Sequence, residues 1–142
     1  MSQNAIELTV VTPERAVVNQ RVDEVQIPGS QGYLGVLPGH AALFSEMRIG
    51  AVSYRIGGQW TYLSVAWGFA EVLPNQVRIL AETAERASEI DADRAKRSRE
   101  RAEKRLSSGN ADVNYERAMV ALERAMIRMQ VSGKTSSSHQ ES

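Results

Sequence analysis

Ile90-Asp91-Ala92-Asp93-Arg94-Ala95 divides this 142-residue chain into two kinds of sequence, and the fold follows from the division. Upstream, apolar residues recur with a period near two, the pattern of half-buried strands. Downstream they recur at three and four, the pattern of helices with one buried face. The stretch itself has the chemistry of a helix start. Asp91, or Ser88 before it, can accept hydrogen bonds from first-turn backbone amides, and Glu89, Asp91 and Asp93 suit the positive end of the helix dipole. The helical phase is expected to begin near Ala87.

On the upstream side, Ile6, Leu8 and Val10 alternate with other residues, and Val25 and Ile27 flank Gln26. Val52, Tyr54 and Ile56 alternate with Ser53 and Arg55, Trp60 and Tyr62 flank Thr61, and Val77 and Ile79 flank Arg78. Turn residues punctuate these runs at Pro13, Pro28-Gly29, Gly32, Pro38-Gly39, Gly57-Gly58 and Pro74-Asn75. Gly57-Gly58 fits a two-residue hairpin turn, because glycine reaches positive φ without a Cβ clash. Many short strands at this spacing predict a β-sandwich or flattened barrel.

On the downstream side, Ala95, Ala102 and Leu106 form a narrow stripe of mostly small side chains, broken by Ser107-Ser108-Gly109-Asn110. Asp112 or Asn114 can cap a second helix, whose expected buried face is Tyr115, Ala118, Met119, Leu122, Ala125, Met126 and Met129. Two antiparallel helices with a short connection follow. Methionine adapts to irregular surfaces, and an alanine stripe buries little, so the hairpin is expected to hold only weakly to its support.

An arginine ladder runs through these helices: Arg94 and Arg101 in the first, Arg117, Arg124 and Arg128 in the second. Spacings of seven and four keep each row on one face. Folding the hairpin brings the rows within reach of a common point, where like charges repel unless an anion lies between them. Glu85 and Asp91 are candidate internal counter-charges. A face laced with ordinary ion pairs, such as Glu100 with Lys104, is equally compatible with the spacing.

Charge is distributed unevenly although its formal sum is zero. Residues 1–93 carry 6 basic and 11 acidic side chains, a net of −5, whereas residues 94–131 carry 10 basic and 5 acidic, a net of +5. The basic segment favours phosphate or a carboxylate-rich surface. The chain has no cysteine, which excludes disulfides and thiolate metal sites, and its two histidines, His40 and His139, are almost a chain length apart. Neither a phosphate loop, nor a dinucleotide turn, nor a nucleophile elbow occurs. The N-terminus lacks the pattern of a secretory signal, and no run approaches the roughly 18 apolar residues of a membrane span. These features predict a soluble, intracellular binding or coupling part with no catalytic residues and no metal.

Several segments together carry a family resemblance. They are Leu8-Thr9-Val10-Val11-Thr12-Pro13-Glu14, Gly35-Val36-Leu37-Pro38-Gly39-His40-Ala41-Ala42-Leu43 and Gly68-Phe69-Ala70-Glu71-Val72. The helical part adds Ile90-Asp91-Ala92-Asp93-Arg94-Ala95, Arg101-Ala102-Glu103-Lys104-Arg105-Leu106, Tyr115-Glu116-Arg117-Ala118 and Leu122-Glu123-Arg124-Ala125-Met126. In this order and spacing, the chain resembles the epsilon subunit of the F-type ATP synthase over almost its whole length.

The resemblance implies an α+β fold: an N-terminal antiparallel β-sandwich of about ten strands over residues 1–86 and a regulatory helical hairpin over 87–131, while the polar composition of 132–142, outside the family pattern, predicts a tail without fixed structure. It implies a non-catalytic rotor part whose sandwich contacts the gamma subunit and the c-ring, with His40 structural. When extended, the hairpin enters the alpha/beta catalytic hexamer and blocks ATP hydrolysis, with Arg97, Arg99 and Arg105 among the arginines facing the beta subunit. No cofactor is obligatory. ATP is implied as a regulatory ligand of the folded hairpin, through Ile90, Asp91, Arg94, Ala95, Arg101, Arg117, Arg124 and Arg128, with Glu85 beside them. The implied location is the cytoplasmic face of the bacterial cell membrane, peripheral and reached only through the complex.

Two other classes remain as alternatives. A stand-alone β-sandwich that binds a small molecule predicts an open concave face lined by Trp60, Trp67 or Tyr62. A nucleic-acid binder predicts salt-sensitive binding through the basic hairpin, but the helices hold only Tyr115 for base stacking, which argues against nucleic acid as a partner.

Overall fold

The computed structural model describes residues 5–134, so His139 and residues 135–142 of the tail expected over 132–142 lie outside the described residues, whereas Ser132 belongs to the last helix and not to a tail. Eight strands come first: β1 (Ile6–Val11), β2 (Ala16–Val22), β3 (Glu24–Gly29), β4 (Gly32–Val36), β5 (Leu43–Met47), β6 (Gly50–Ile56), β7 (Gln59–Leu73) and β8 (Gln76–Arg86). A 3-10 turn at Ala87–Glu89 leads to α1 (Ala92–Ser107) and α2 (Tyr115–Ser132).

The strand count of eight is close to the roughly ten expected, and the longest strand, β7, has 15 residues and serves two neighbours in succession. Its first half pairs with β6, from Ile56↔Gln59 to Gly50↔Val65, and its second half pairs with β5, from Met47↔Gly68 to Leu43↔Val72. β8 follows β7 along most of its length. The pairing is antiparallel throughout except between β1 and β8, which run parallel.

Alternation decides what is inside. Leu8, Ile27, Val52, Leu63, Val72 and Ile79 are all fully buried, and each contributes roughly 1.5–3 kcal/mol of apolar burial. Gly57 at φ 61° takes the first central position of the β6–β7 hairpin, the position that a type II′ turn reserves for glycine. Pro28-Gly29, read from sequence as a turn, instead ends β3 inside the sheet, and the reversal falls on Ser30-Gln31. Gly29 is needed there for close approach: a Cβ would lie 2.9 Å from the Gly32 carbonyl oxygen.

The long β7 bends where its partner changes. Ala66 faces Thr83 and Gly68 faces Ala81, but the intervening Trp67 is passed over by the pairing. Trp67 has φ 54° and Gly68 has φ 126°. A Cβ on Gly68 would lie 1.9 Å from the Leu80 carbonyl oxygen, so only glycine fits.

The α-helix starts later than the sequence suggested. Glu89 turns its carboxylate back to accept from the Arg86 backbone N–H at 2.9 Å, Ile90 is extended, and Asp91 is the N-cap, accepting from the Arg94 backbone N–H at 3.1 Å. Ser88 does not cap the helix. Asn114 caps α2 through the Arg117 backbone N–H at 3.0 Å. Gly109, at φ 70°, follows the end of α1.

The buried face of α2 differs from the expectation. Ala118 and Ala125 are buried, as are Ala95 and Ala102 on α1, while Tyr115, Met119 and Met126 stand 43 %, 55 % and 52 % exposed. Alanines seven residues apart on both helices let the axes approach closely, and the longer methionines are turned outward from that contact. Val131 is fully buried at the far end of α2, and Ile90 is buried before α1.

Candidate functional site

The hairpin meets the sandwich through a few polar contacts, and they surround a hollow of about 370 Å³. Its walls come from three places. β1–β2 supplies Thr12, Glu14 and Arg15; the sheet supplies Ser64, Thr83 and Glu85; the helices supply Arg94, Arg124 and Arg128. Four of the nine residues implied as a ligand set therefore converge here: Glu85, Arg94, Arg124 and Arg128.

Each is positioned by its local structure. Glu85 lies on β8 opposite Ser64 and accepts from Arg128 twice, Nε at 2.7 Å and Nη2 at 3.1 Å. This makes Glu85 the internal counter-charge for Arg128. Asp91 does not take that part; its carboxylate is engaged in capping α1. Arg124 places its guanidinium carbon 5.6 Å from the centroid of the Trp67 ring. Arg94 lines the hollow from the first turn of α1.

The remaining ladder members stand apart from this hollow. Arg117 joins Ser98, Arg124 and Arg128 around a second hollow of about 320 Å³, which shares two arginines with the first. The Arg101 guanidinium donates to the Ser98 hydroxyl at 3.1 Å. Ile90 and Ala95 are buried and act as packing under the ladder. On α1, Arg97 and Arg105 are exposed. Arg99 lies 3.8 Å from Glu103, too far for a hydrogen bond, and its Nε is buried without a hydrogen-bond partner. The ion pair that forms on α1 is this one and not Glu100 with Lys104.

Sequence reasoning missed Arg15. Its guanidinium meets the Glu89 carboxylate with two hydrogen bonds, at 2.9 and 2.8 Å, joining the β1–β2 turn to the 3-10 turn ahead of α1. Thr12 shapes that turn by accepting from the backbone N–H groups of Glu14 and Arg15, each at 3.3 Å. These bonds, Arg15 first and then the Arg86 amide, lower the Glu89 carboxyl to about 2. The partners are 74 residues apart, so no local signal pointed to them.

The aromatics of the stand-alone alternative do not share one face. Trp67 lines an apolar hollow with Phe69, Leu80 and Pro13, whereas Tyr62 lines a different one with Val131 and Lys134. The Nδ1 of His40 lies 2.8 Å from the neighbouring Ala41 carbonyl oxygen, which makes it part of its own turn. No group of acids and histidines suited to a metal ion occurs among the described residues. No described helix is long and apolar enough to cross a membrane.

Comparison with known proteins covers both parts of the chain. The family described as ATP synthase, Delta/Epsilon chain, beta-sandwich domain matches residues 5–87, and that described as ATP synthase, Delta/Epsilon chain, long alpha-helix domain matches residues 88–133. The ATP synthase epsilon chain of Syntrophobacter fumaroxidans is 47 % identical over 92 % of this chain and 97 % of its own length. That of Koribacter versatilis is 50 % identical over 77 % of each. Among solved structures, a chain of the Euglena gracilis mitochondrial ATP synthase superposes with a TM-score of 0.76 at 24 % identity, covering 87 % of this chain and 78 % of that one. This last likeness concerns the fold alone.

Proposed function

This chain belongs to the ATP synthase delta/epsilon chain family, and from that premise we infer that it senses ATP in the pocket between its sandwich and its hairpin. It is a non-catalytic central-stalk subunit of the F-type ATP synthase, working with gamma, the c-ring and the alpha/beta hexamer; the catalytic sites lie on beta. Its station is a membrane-associated complex. We place it at the cytoplasmic face of the bacterial membrane, as a peripheral component.

The observation that carries the ATP reading is the convergence of Arg94, Arg124 and Arg128 on one hollow, with Arg117 on the adjoining one. Of these four, Arg128 alone is neutralised by a carboxylate among the described residues, that of Glu85. Closing the hairpin thus concentrates positive charge, and a polyphosphate relieves it with charge-assisted, forked hydrogen bonds. Asp91 and Ile90 set where α1 begins and hence where Arg94 points. Arg101 reaches the ligand only by leaving Ser98.

Because the pocket exists only when sandwich and hairpin are together, ATP stabilises the folded form. A ligand at about 100 times its dissociation constant adds about 2.7 kcal/mol. When ATP falls, the hairpin leaves, and its basic face, with the exposed Arg97 and Arg105 and half-buried Arg99, engages acidic segments of the beta subunits and stops hydrolysis. The weak attachment, through Ile90, Val131 and a few polar pairs, supports this movement.

Calorimetry of ATP on the full chain tests the reading. Saturable binding, weakened at least tenfold by Arg94→Ala or Arg124→Ala, is expected. Absence of binding, or variants that bind as the parent does, would remove ATP from the account.

A further inference from the structure

At the β7 corner the chain needs two residues of unusual backbone, and glycine satisfies both requirements at no steric cost. Position 68 is glycine. Position 67 is tryptophan, held at φ 54°, in the left-handed region where a side chain with a Cβ is strained. Such strain persists where surrounding contacts over-determine it, and it gathers at sites that do something. The corner alone does not account for a tryptophan, because glycine would make the same bend.

The contact that singles out Trp67 comes from the other half of the molecule. Arg124, on α2, stands 5.6 Å from the centroid of the indole. Its ladder neighbour Arg128 donates two hydrogen bonds to the Glu85 carboxylate, which consume guanidinium donors and cancel the charge. Arg124 is held differently: among the described residues no carboxylate lies within ion-pair distance of it. An aromatic face attracts a guanidinium through the ring quadrupole and leaves its N–H donors in the guanidinium plane unspent. A group meant to bind an incoming phosphate needs this combination of fixed place and unspent charge.

We propose that Trp67 is a positioning residue of the ligand pocket: its indole seats Arg124 without neutralising it, and so ties the docked hairpin to the sandwich. The proposal rests on the anion-binding reading for its ligand arm, but its docking arm stands alone. Trp67 touches α2 whether or not a nucleotide is present, so removing the indole loosens the hairpin in the ligand-free chain as well.

The test uses the full chain with Trp67→Gly, which relieves the backbone strain, and Trp67→Leu, which keeps apolar bulk without the π face. Arg124→Ala and the two double variants complete the cycles. Calorimetry reads ATP affinity, hydrogen exchange of α2 amides without nucleotide reads docking, and the thermal midpoint checks the sandwich. The expected result is a loss of ATP affinity on the order of tenfold for either Trp67 variant, with a similar fall in α2 protection. Neither change should appear when Arg124 is already alanine.

Wild-type affinity and protection in both Trp67 variants would overturn the proposal. So would an effect that persists undiminished in the Arg124→Ala background, because Trp67 would then act through the sandwich alone. If the parent chain itself fails to bind ATP, the nucleotide reading falls. The α2 protection of Trp67→Leu, with and without Arg124, then still decides the docking claim. Should Trp67→Gly fail to fold, Trp67→Leu carries both arms.

Discussion

The sandwich and the hairpin obey different economies of contact. In the sandwich, branched aliphatic residues from every layer are sealed from water: Ile6, Leu8, Ile27, Leu63 and Ile79 have no exposed surface. In the hairpin, the fully covered side chains are mostly alanines, and Met119 and Met126 of α2 face outward. Alanine burial removes little apolar area per residue, so the helices keep each other in register but are only lightly tied to the sheet. What ties them is the small apolar contact of Val131 and Ile90 together with polar pairs: Arg128 to Glu85, Arg124 to Trp67, and, through the linker, Glu89 to Arg15. A platform held by hydrophobic burial thus carries an arm held by far less apolar contact and by polar pairs.

The sharpest challenge to that contrast is Gly68→Ala. The new Cβ would meet the Leu80 carbonyl oxygen at 1.9 Å with φ at 126°, so the sandwich is expected to lose about 3 kcal/mol or more, seen as a fall in the urea midpoint. A midpoint within error of the parent would mean that the β7 corner is pliable and the platform less rigid than described. Next in size, Ile79→Ala should cost about 3 kcal/mol by emptying a sealed site, whereas Met126→Ala should cost less than about 0.5 kcal/mol, because Met126 is 52 % exposed. Equal losses at the two positions would break the comparison outright.

A smaller effect separates local from global stability. Glu85→Gln weakens the forked bond to Arg128, whose side chain is 23 % exposed against 34 % for Glu85. Partial solvation limits the loss to about 1 kcal/mol. It should appear in hydrogen exchange of α2 and leave the exchange of β1 and β8 unchanged.

The smallest effect is a dependence on acid. Glu89 has its carboxyl lowered from 4.5 to about 2 in the folded chain. A group lowered on folding lends stability above its unfolded value, and that contribution fades as pH falls from about 4.5 towards 2. In Glu89→Gln, urea midpoints followed across this range should show a shallower decline than the parent. An identical slope would show that the tie between Arg15 and Glu89 does not hold the linker.

Local sequence carried much of this architecture, since alternation at two and recurrence at three and four are themselves the geometry of strands and helices. Ile6, Leu8, Val10, Val77 and Ile79 could be placed inside from their spacing, and so could the alanine stripe of α1. The caps were legible for the same reason: Asp91 and Asn114 each bond an amide three residues ahead. The buried face of α2 was read too wide, with Tyr115, Met119 and Met126 added to the buried Ala118 and Ala125, because hydrophobicity ranks methionine above alanine, whereas two helices in close contact select for small size.

By itself the chain order determined the kinds of element, the charge of each half and the identity of the ladder, all of which depend on neighbours within a few residues. Only the folded structure decided which arginines share a pocket, that Glu85 neutralises Arg128, that Arg15 clasps Glu89 across 74 residues, and that Trp67 underlies Arg124. Those pairings arise where separate elements pack, and their positions depend on the bend of β7 and the docking of α2, which no local pattern encodes.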